Sequence, residues 1–412
     1  MACRFWLETL GCPKNQVDSD KLAGAMLEDG MVPADAPDEA DLVVVNTCAF
    51  IEEARQESVE TILALDDLRS AGAELVVTGC LAERYGEELS VALPEVDRVA
   101  GFGVPVSLGR RAEPAVPELD LLELPRPPAN GPWAYVKVAE GCDRSCGFCA
   151  IPSFRGPQRS RRMEDVLAEV EALGVSEVVL VAQDLASYGR DQGRGERRLV
   201  PLVRAVAERV AWVRLLYLYP ADITDSLVDT ICDTGVPYFD LSLQHVSRAL
   251  LRRMRRWGDG ERFLSRIRRI RRREPGAVFR SNFIVGYPGE TESDHDQLIR
   301  FLEEARLDWC GFFAHSEEEG TPAADLDRKI PRALAEERLA ELRSIQDEIT
   351  RSRRDELIGA PIEVLVDAPG VGRSFREAPE SDGVVHVPHL LEPGEFVRVT
   401  VTGALGPDLV AS

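Results

Sequence analysis

Hydrophobic and polar positions alternate in blocks along the first hundred residues. Short apolar runs predict strands, and a stretch of helical periodicity follows each of them. The runs are at 3–12, 41–48 and 73–80, and the helical stretches are at 17–30, 51–69 and 81–93. Continuous apolar strands that alternate with helices indicate a parallel sheet covered on both faces.

The same alternation occurs six times from Trp133 onward. The predicted strands are at 134–139, 177–182, 212–219, 238–243, 278–286 and 308–315. Helical stretches such as 163–174 and 293–306 separate them. Six successive strand–helix units indicate a parallel barrel or partial barrel, which would carry its site at the C-terminal ends of the strands.

The pattern changes again after a long helix predicted at 331–357. Short strands at 361–368, 383–387 and 395–404 are divided by Gly and Pro and indicate a small β-barrel. A Pro- and Glu-rich stretch at 112–132 predicts a linker. We therefore expect an α/β protein with three domains, at 1–110, 130–356 and 357–412.

Composition and charge narrow the class of protein. The net charge of -22 argues against nonspecific binding to nucleic acid or to an anionic membrane, and it permits a basic partner. The N-terminus lacks a basic segment followed by an apolar run, and no apolar stretch is long enough to span a bilayer. We expect a cytoplasmic protein without a membrane contact. In that compartment the nine cysteines favour metal or redox chemistry over disulfides.

The strongest local signal is a cysteine loop after the first predicted barrel strand. Cys142, Cys146 and Cys149 have the spacing C-x3-C-x2-C. Three thiolates on a short loop can hold a four-iron cluster and leave one iron open for reaction. A structural zinc site would need a fourth Cys or His, and the nearest downstream histidine is His245. Three unrelated buried thiols are the other alternative.

A second set of cysteines is spread over the N-terminal region. Cys12, Cys48 and Cys80 each follow a predicted strand and precede a predicted helix. Because parallel strands end at one edge of their sheet, the three sulfurs are expected to converge on a metal there. The alternative is that they are ordinary buried residues. The other three cysteines, Cys3, Cys232 and Cys310, are expected in the core.

Two segments differ from the acidic average and bear on partners. The segment from Arg248 to Arg273 contains twelve arginines and only two acidic residues, Asp259 and Glu261, so its local charge is +10. This pattern favours a solvated amphipathic helix pair, and a phosphate-contacting surface is the alternative. From 358 to 412, three arginines stand against eight acidic residues, a local charge of -5. That region would repel RNA and attract a basic protein, although acidic surfaces also serve solubility alone.

Several segments resemble the methylthiotransferases, a family of radical S-adenosylmethionine enzymes. The cluster loop and the three N-terminal cysteine segments of that family are similar to GCDRSCGFCAIPSFRGPQRSR, LGCPKNQVDSD, VVNTCAFIEEA and VTGC. Further similar stretches are LSLQHVSRALLRRMRRWGD and FIVGYPGETE, and APESDGVVHV and DLVA resemble a C-terminal TRAM domain. The resemblance covers nearly the whole chain. It implies a flavodoxin-like N-terminal domain, a partial (β/α)6 radical SAM barrel and a TRAM-like β-barrel for substrate recognition.

The resemblance also implies cofactors and site residues. Cys142, Cys146 and Cys149 would hold a [4Fe-4S] cluster that binds and cleaves S-adenosylmethionine to a 5'-deoxyadenosyl radical. A second [4Fe-4S] cluster, on Cys12, Cys48 and Cys80, would carry the sulfur that another S-adenosylmethionine methylates. Phe148 would lie near the adenine. Gln183 and Asp184 end a barrel strand, where they suit cofactor contacts or, alternatively, a helix cap or a structural hydrogen bond.

The substrate implied by the resemblance depends on the branch of the family. Pro13, Lys14 and Asn15 resemble the RimO branch, which modifies an aspartate of small-subunit ribosomal protein twelve, whereas the MiaB branch modifies adenosine in transfer RNA. We expect a basic ribosomal protein as partner, a flavodoxin or ferredoxin as electron donor, and an RNA contact only through Arg248–Arg273. A non-catalytic iron–sulfur carrier is the alternative from another class. His315 departs from the family, in which an aromatic residue is expected.

Overall fold

The computed structural model describes residues 2–104, 106 and 121–412, so residues 112–120 of the predicted linker lie outside the described part. The N-terminal region is a five-stranded parallel sheet in the order β2-β1-β3-β4-β5, which is the flavodoxin-like order. Its elements are β1 (Arg4–Thr9), α1 (Pro13–Glu28), β2 (Val32–Pro33), β3 (Leu42–Thr47), α2 (Glu52–Leu68), β4 (Glu74–Gly79), α3 (Cys80–Ala92) and β5 (Arg98–Val99).

The central strand β3 shows why this sheet is covered on both faces. All six of its residues are buried. Val43 and Val45 pack into one core with Ile62 of α2, whereas Val44 packs into a second core with Leu22 of α1. Alternate side chains therefore enter different cores, as expected for a parallel strand between two helical layers.

The middle of the chain holds six parallel strands. Its elements are β6 (Trp133–Lys137), β7 (Ala139–Glu140), α4 (Ile151–Arg155), β8 (Arg159–Ser160), α5 (Met163–Leu173), β9 (Glu177–Val181), α6 (Leu199–Ala207), β10 (Trp212–Leu215), α7 (Asp225–Asp233), β11 (Tyr238–Gln244), α8 (Arg248–Arg253), α9 (Gly260–Arg273), β12 (Val278–Val285), α10 (Glu292–Ala305) and β13 (Trp309–Ala314). Strands β6, β9 and β10 form one parallel sheet, β11, β12 and β13 form another, and a parallel bridge between Leu218 and Leu241 joins them. The predicted partial barrel is confirmed.

The C-terminal region begins with the long helix α11 (Arg332–Asp355). A closed barrel follows, made of β14 (Pro361–Ala368), β15 (Val371–Arg373), β16 (Val385–His386), β17 (Phe396–Leu405) and β18 (Asp408–Ala411). Polar contacts fix it to the base of the middle barrel: Arg373 pairs with Glu177 at 2.6 Å, and the hydroxyl of Tyr135 donates to Pro379 O at 3.1 Å. The predicted small β-barrel is confirmed.

The arginine-rich segment forms the predicted amphipathic helix pair, α8 and α9. The apolar positions expected on its inner face are all buried, namely Leu250, Leu251, Met254, Phe263, Ile267 and Ile270. Several arginines on the outer face pair with acidic residues of neighbouring helices, including Arg269 with Asp225 and Arg273 with Asp233. Much of the local positive charge is therefore neutralised within the chain.

Two details differ from the expectations. Helix α1 begins at Pro13 rather than near residue 17, because proline is well suited to the first position of a helix. Cys3, Cys232 and Cys310 are half-buried at the margins of the cores rather than inside them. Across the described residues, no helix has both the length and the apolar character needed to cross a bilayer.

Candidate active site

The nine predicted site residues line one cavity of about 520 Å³ between the N-terminal sheet and the top of the barrel. They are Cys12, Cys48, Cys80, Cys142, Cys146, Phe148, Cys149, Gln183 and Asp184. The two cysteine triads are far apart in sequence, with a separation of 94 positions from Cys48 to Cys142. The structure nevertheless places both of them around the same cavity. Both are at the C-terminal ends of parallel strands, where ligands bind in such sheets.

Two glycines allow the first triad, which is Cys12, Cys48 and Cys80, to assemble. Cys12 precedes α1, Cys48 follows β3 and Cys80 opens α3. Gly11 has a φ of +99°, and a Cβ added to it would lie 3.0 Å from the Cys48 sulfur. Gly79 has a φ of +89°, and an added Cβ would lie 2.6 Å from Thr47 N. Larger residues would push the cysteine loops apart.

The three sulfurs of this triad influence one another electrostatically. Burial raises the pKa of Cys48 to about 12, and the charges of Cys12 and Cys80 add to the effect. Burial also raises the pKa of Cys80. Burial opposes the thiolate of Cys12 as well, but Lys14, Arg155 and backbone N–H groups lower its pKa overall. This cationic surrounding suits a group bound through thiolates.

The second triad lies on the loop between β7 and α4. Burial raises the pKa of Cys142 to about 11 and that of Cys149 to about 12. The N–H of Arg144 donates to the Cys142 sulfur at 3.4 Å, and the Arg256 guanidinium donates to the Cys146 sulfur at 3.5 Å. Hydrogen bonds to sulfur and burial are among the factors by which proteins tune iron–sulfur clusters.

The donor set of each triad, three thiolates, suits a four-iron cluster. Within the described residues, no three Cys, His, Asp or Glu side chains are placed to share one metal ion. The thiolates of a four-iron cluster each bind a different iron, so they need not converge on one point. His245, the histidine weighed as a zinc ligand, is fully buried outside the cavity lining.

Gln183 and Asp184 follow β9, and each carries an acceptor atom without a partner among the described residues. Gln183 donates its amide to Glu140, whereas its Oε1 accepts no hydrogen bond from that part of the chain. Asp184 Oδ2 accepts from Arg144 at 2.6 Å, whereas its Oδ1 accepts none from the same residues. Asp184 caps no backbone N–H of the short helix that follows it. Buried acceptors of this kind in a cavity wall suit a ligand that donates hydrogen bonds.

A buried charge network beneath the first triad escaped the sequence interpretation. The Arg155 guanidinium donates to the Cys80 sulfur at 3.0 Å and to Asn15 Oδ1 at 2.8 Å. It also pairs with Glu140 at 2.9 Å and Asp18 at 3.2 Å. Arg155 follows the second cysteine loop in sequence, so one side chain links the two sites. The available signal was Lys137, a charged residue inside an apolar strand, which pairs with both carboxylates.

His315 lies at the end of β13 and lines the cavity. Its ring packs edge-on against Tyr287 with a centroid separation of 4.9 Å. Burial lowers its pKa to about 4, so the ring is neutral at physiological pH. The histidine therefore acts as an uncharged aromatic-like ring at the position where an aromatic residue was expected.

Acid is expected to destabilise the protein through its buried histidines. Burial lowers the pKa of His245 to about 4 from an ordinary value of 6.5. Between these pH values the unfolded state binds more protons than the folded state, so the free energy of unfolding falls as pH drops, by at most about 3 kcal/mol for this group. His315 acts in the same direction. Urea unfolding at several pH values from 7 to 4 should show a shallower decline for His245→Asn, and an unchanged decline would contradict the assignment.

Family comparisons support the class of chemistry that the cavity suggests. Residues 4–101 match an uncharacterized protein family, UPF0004, residues 136–302 match the radical SAM superfamily, and residues 358–412 match the TRAM domain. The ribosomal protein uS12 methylthiotransferase RimO of Moorella thermoacetica is 45% identical over 96% of this chain and 95% of its own length. The enzymes of that name from Kineococcus radiotolerans and Aquifex aeolicus are each 42% identical over 98% and 97% of this chain and 96% and 95% of their own.

The chain belongs to the RimO family of methylthiotransferases. It is therefore a radical S-adenosylmethionine enzyme, and an iron–sulfur cluster and S-adenosylmethionine are its cofactors. The relatives support neither the sibling branch nor a non-catalytic carrier. A radical S-adenosylmethionine methyltransferase, TsrM from Kitasatospora setae, shares the fold with a TM-score of 0.51 at 16% identity, over 95% of this chain and 83% of that one.

Proposed function

We propose that this enzyme transfers a methylthio group to the β-carbon of an aspartate in ribosomal protein uS12. Two [4Fe-4S] clusters would take part, one on Cys12, Cys48 and Cys80 and one on Cys142, Cys146 and Cys149. The observation that carries the proposal is that both triads line one cavity. Sulfur delivery and radical formation need that proximity, because the substrate carbon must meet both reagents.

The side chains around the clusters have separate tasks in this proposal. When bound, the two clusters supply electrons for cofactor cleavage and a site for the transferable sulfur. Arg155 and Arg256 stabilise thiolate charge on Cys80 and Cys146. Gln183 and Asp184 each carry an acceptor atom without a partner in the described residues, and these atoms would receive hydrogen bonds from S-adenosylmethionine. Phe148, which lines the cavity, would pack near its adenine.

The proposed partners follow from charge. The C-terminal barrel carries a net charge of -5 and suits a basic ribosomal protein. A contact with ribosomal RNA through Arg248–Arg273 would be made by the exposed arginines of this segment that form no ion pair with an acidic side chain in the described part of the chain. These are Arg248, Arg252, Arg255 and Arg272. A flavodoxin or ferredoxin supplies electrons in the cytoplasm.

We also propose the domain limits 1–110, 130–356 and 357–412. The family matches at 4–101, 136–302 and 358–412 support this division. The N-terminal domain would bind the cluster on Cys12, Cys48 and Cys80, and the middle domain the cluster on Cys142, Cys146 and Cys149. The last domain would bind the substrate.

Anaerobic reconstitution with iron and sulfide tests the proposed function. We expect about eight irons per chain, that is, two four-iron clusters, and cleavage of S-adenosylmethionine on reduction. Mass spectrometry of uS12 and of transfer RNA, incubated in parallel with the enzyme, should show a methylthio group on uS12 alone. Four irons or bound zinc would contradict the two clusters, and modified transfer RNA would contradict the substrate.

A further inference from the structure

Lys14 is a buried cation that pairs with no carboxylate in the described residues. It is only 9% exposed, lines the cavity and lies two residues from Cys12. Its ammonium group lies 3.4 Å from the centroid of the Tyr217 ring. The other two buried lysines in the described residues each hold a carboxylate, Lys21 with Glu169 at 3.0 Å and Lys137 with Glu140 at 2.6 Å. No carboxylate in the described part of the chain forms such a pair with Lys14.

Tyr217, the residue against which Lys14 packs, has an unusual backbone conformation. Tyr217 has a φ of +65°, which is rare for an aromatic residue. Its backbone N–H donates to Asp240 Oδ2 at 2.9 Å, and this bond fixes the turn after β10. Strained residues of this kind persist where the surrounding structure needs a side chain in one place. The ring presents its face to Lys14, and cation–π contact keeps the ammonium group in the cavity.

The neighbouring cations of the cavity are already neutralised to different degrees. Arg144 pairs with Asp184 and Asp222, and Arg155 pairs with Asp18 and Glu140. Arg280, which also lines the cavity, has Asp382 of the C-terminal barrel at 3.6 Å. Arg256, which also lines the cavity, forms no ion pair within the described residues, but it donates to the Cys146 sulfur and to Ser242 O. Among the cations near Cys12, Lys14 is thus the one placed to accept a new anion. Buried charges are normally paired, so a buried ammonium group facing a cavity indicates an anionic ligand.

We propose that Lys14, held on Tyr217, binds the side-chain carboxylate of the substrate residue and makes the enzyme specific for an acid over its amide. This inference rests on the proposed function, because an aspartate carries its carboxylate one bond from the β-carbon. A cation two residues from Cys12 holds that carboxylate beside the thiolate site from which sulfur is delivered. Removing the negative charge from the substrate would leave Lys14 buried and unpaired, which opposes binding of the amide.

The alternative role for Lys14 is to balance the negative charge of the Cys12 thiolate alone. The two roles predict different results for Lys14→Gln. A carboxylate-binding lysine affects discrimination between substrates. A lysine that only balances thiolate charge affects iron content or the spectrum of the cluster and leaves discrimination unchanged.

The test uses reconstituted enzyme and two forms of uS12, one with the target aspartate and one with asparagine in its place. Binding is measured anaerobically without reductant, and methylthio transfer is then measured by mass with reductant present. Wild type should prefer the aspartate form by at least about 30-fold in Kd and in kcat/KM. Lys14→Gln should lose that preference while its iron content stays at about eight per chain. Lys329→Gln, at an exposed lysine paired with Glu317, is the matched control and should behave as wild type.

Three other results would each contradict a specific part of the proposal. If Lys14→Gln keeps the preference for aspartate, with or without loss of iron, the assignment of Lys14 is wrong. If wild type binds both forms equally, no carboxylate site exists and the inference is also wrong. If fully loaded wild type modifies no uS12 at all, the proposed function itself fails, and the mass measurement shows this independently of the variant.

Discussion

Replacing Arg155 by methionine is expected to destabilise the protein by about 3–5 kcal/mol, because it leaves buried carboxylates without their partner. Arg155 is 7% exposed, and Glu140 is 8% exposed. Burial opposes the charge of Glu140, but Arg155 and Lys137 together hold its pKa well below the ordinary value. After the substitution Lys137 is the remaining cation that pairs with Glu140 and Asp18 in the described residues. Urea unfolding of the iron-free protein measures this loss.

The same substitution should reduce iron at the first triad. Arg155 donates to the Cys80 sulfur and is one of the cations that lower the pKa of Cys12. Without it, thiolate charge at this site is less stabilised, and we expect iron content after reconstitution to fall from about eight toward four per chain. The second triad should keep its iron, because Arg256 rather than Arg155 contacts it.

Two variants serve as controls for Arg155→Met. Arg155→Lys retains the charge but not the forked geometry, so it should recover part of the stability and little of the sulfur contact. Arg162→Met removes an exposed arginine that pairs with Asp165, and it should leave stability nearly unchanged. A result in which Arg155→Met is as stable as Arg162→Met would show that the buried network contributes nothing.

The sequence predicted the fold because each strand–helix unit carries its own signal. The strands β3 and β4 are continuous apolar runs, and parallel pairing puts their ends at one edge. That argument alone placed Cys48 and Cys80 together, without any local motif. The cluster loop at Cys142 was found by spacing, which is a property of the chain and not of the fold.

The partners of the cysteines could not be predicted in the same way. Arg155 contacts Cys80 across 75 positions of sequence, and nothing in either segment identifies the other. In the sequence, Lys14 served only as evidence for the RimO branch of the family. Its burial and its contact with the Tyr217 ring depend on how the N-terminal sheet docks on the barrel. The left-handed backbone of Tyr217 is also invisible in sequence, because the residue type does not favour it. Long-range docking, rather than local pattern, determines the electrostatics of this cavity.

Separating the two cysteine triads by mutation should produce the largest changes in activity. Cys12→Ala removes one thiolate from the N-terminal site and is expected to abolish methylthio transfer to uS12. Cleavage of S-adenosylmethionine on reduction should continue, because Cys142, Cys146 and Cys149 form a separate triad with its own arginine contact. Iron content should fall to about four per chain. Deoxyadenosine release and the mass of uS12 are measured in the same reaction.

Cys142→Ala is the reciprocal variant and should lose both activities, because no other triad in the proposal binds the cofactor that is cleaved. Its iron content should also fall to about four, now held at Cys12, Cys48 and Cys80. Cys232→Ala is the matched control: this half-buried cysteine in α7 lies outside the cavity, and the variant should retain both activities. Equal loss of cleavage in Cys12→Ala and Cys142→Ala would mean that the sites are not independent. Cys12 would then be a structural residue. It lies 130 positions before Cys142 in sequence, so its loss would have to affect the second triad through the fold.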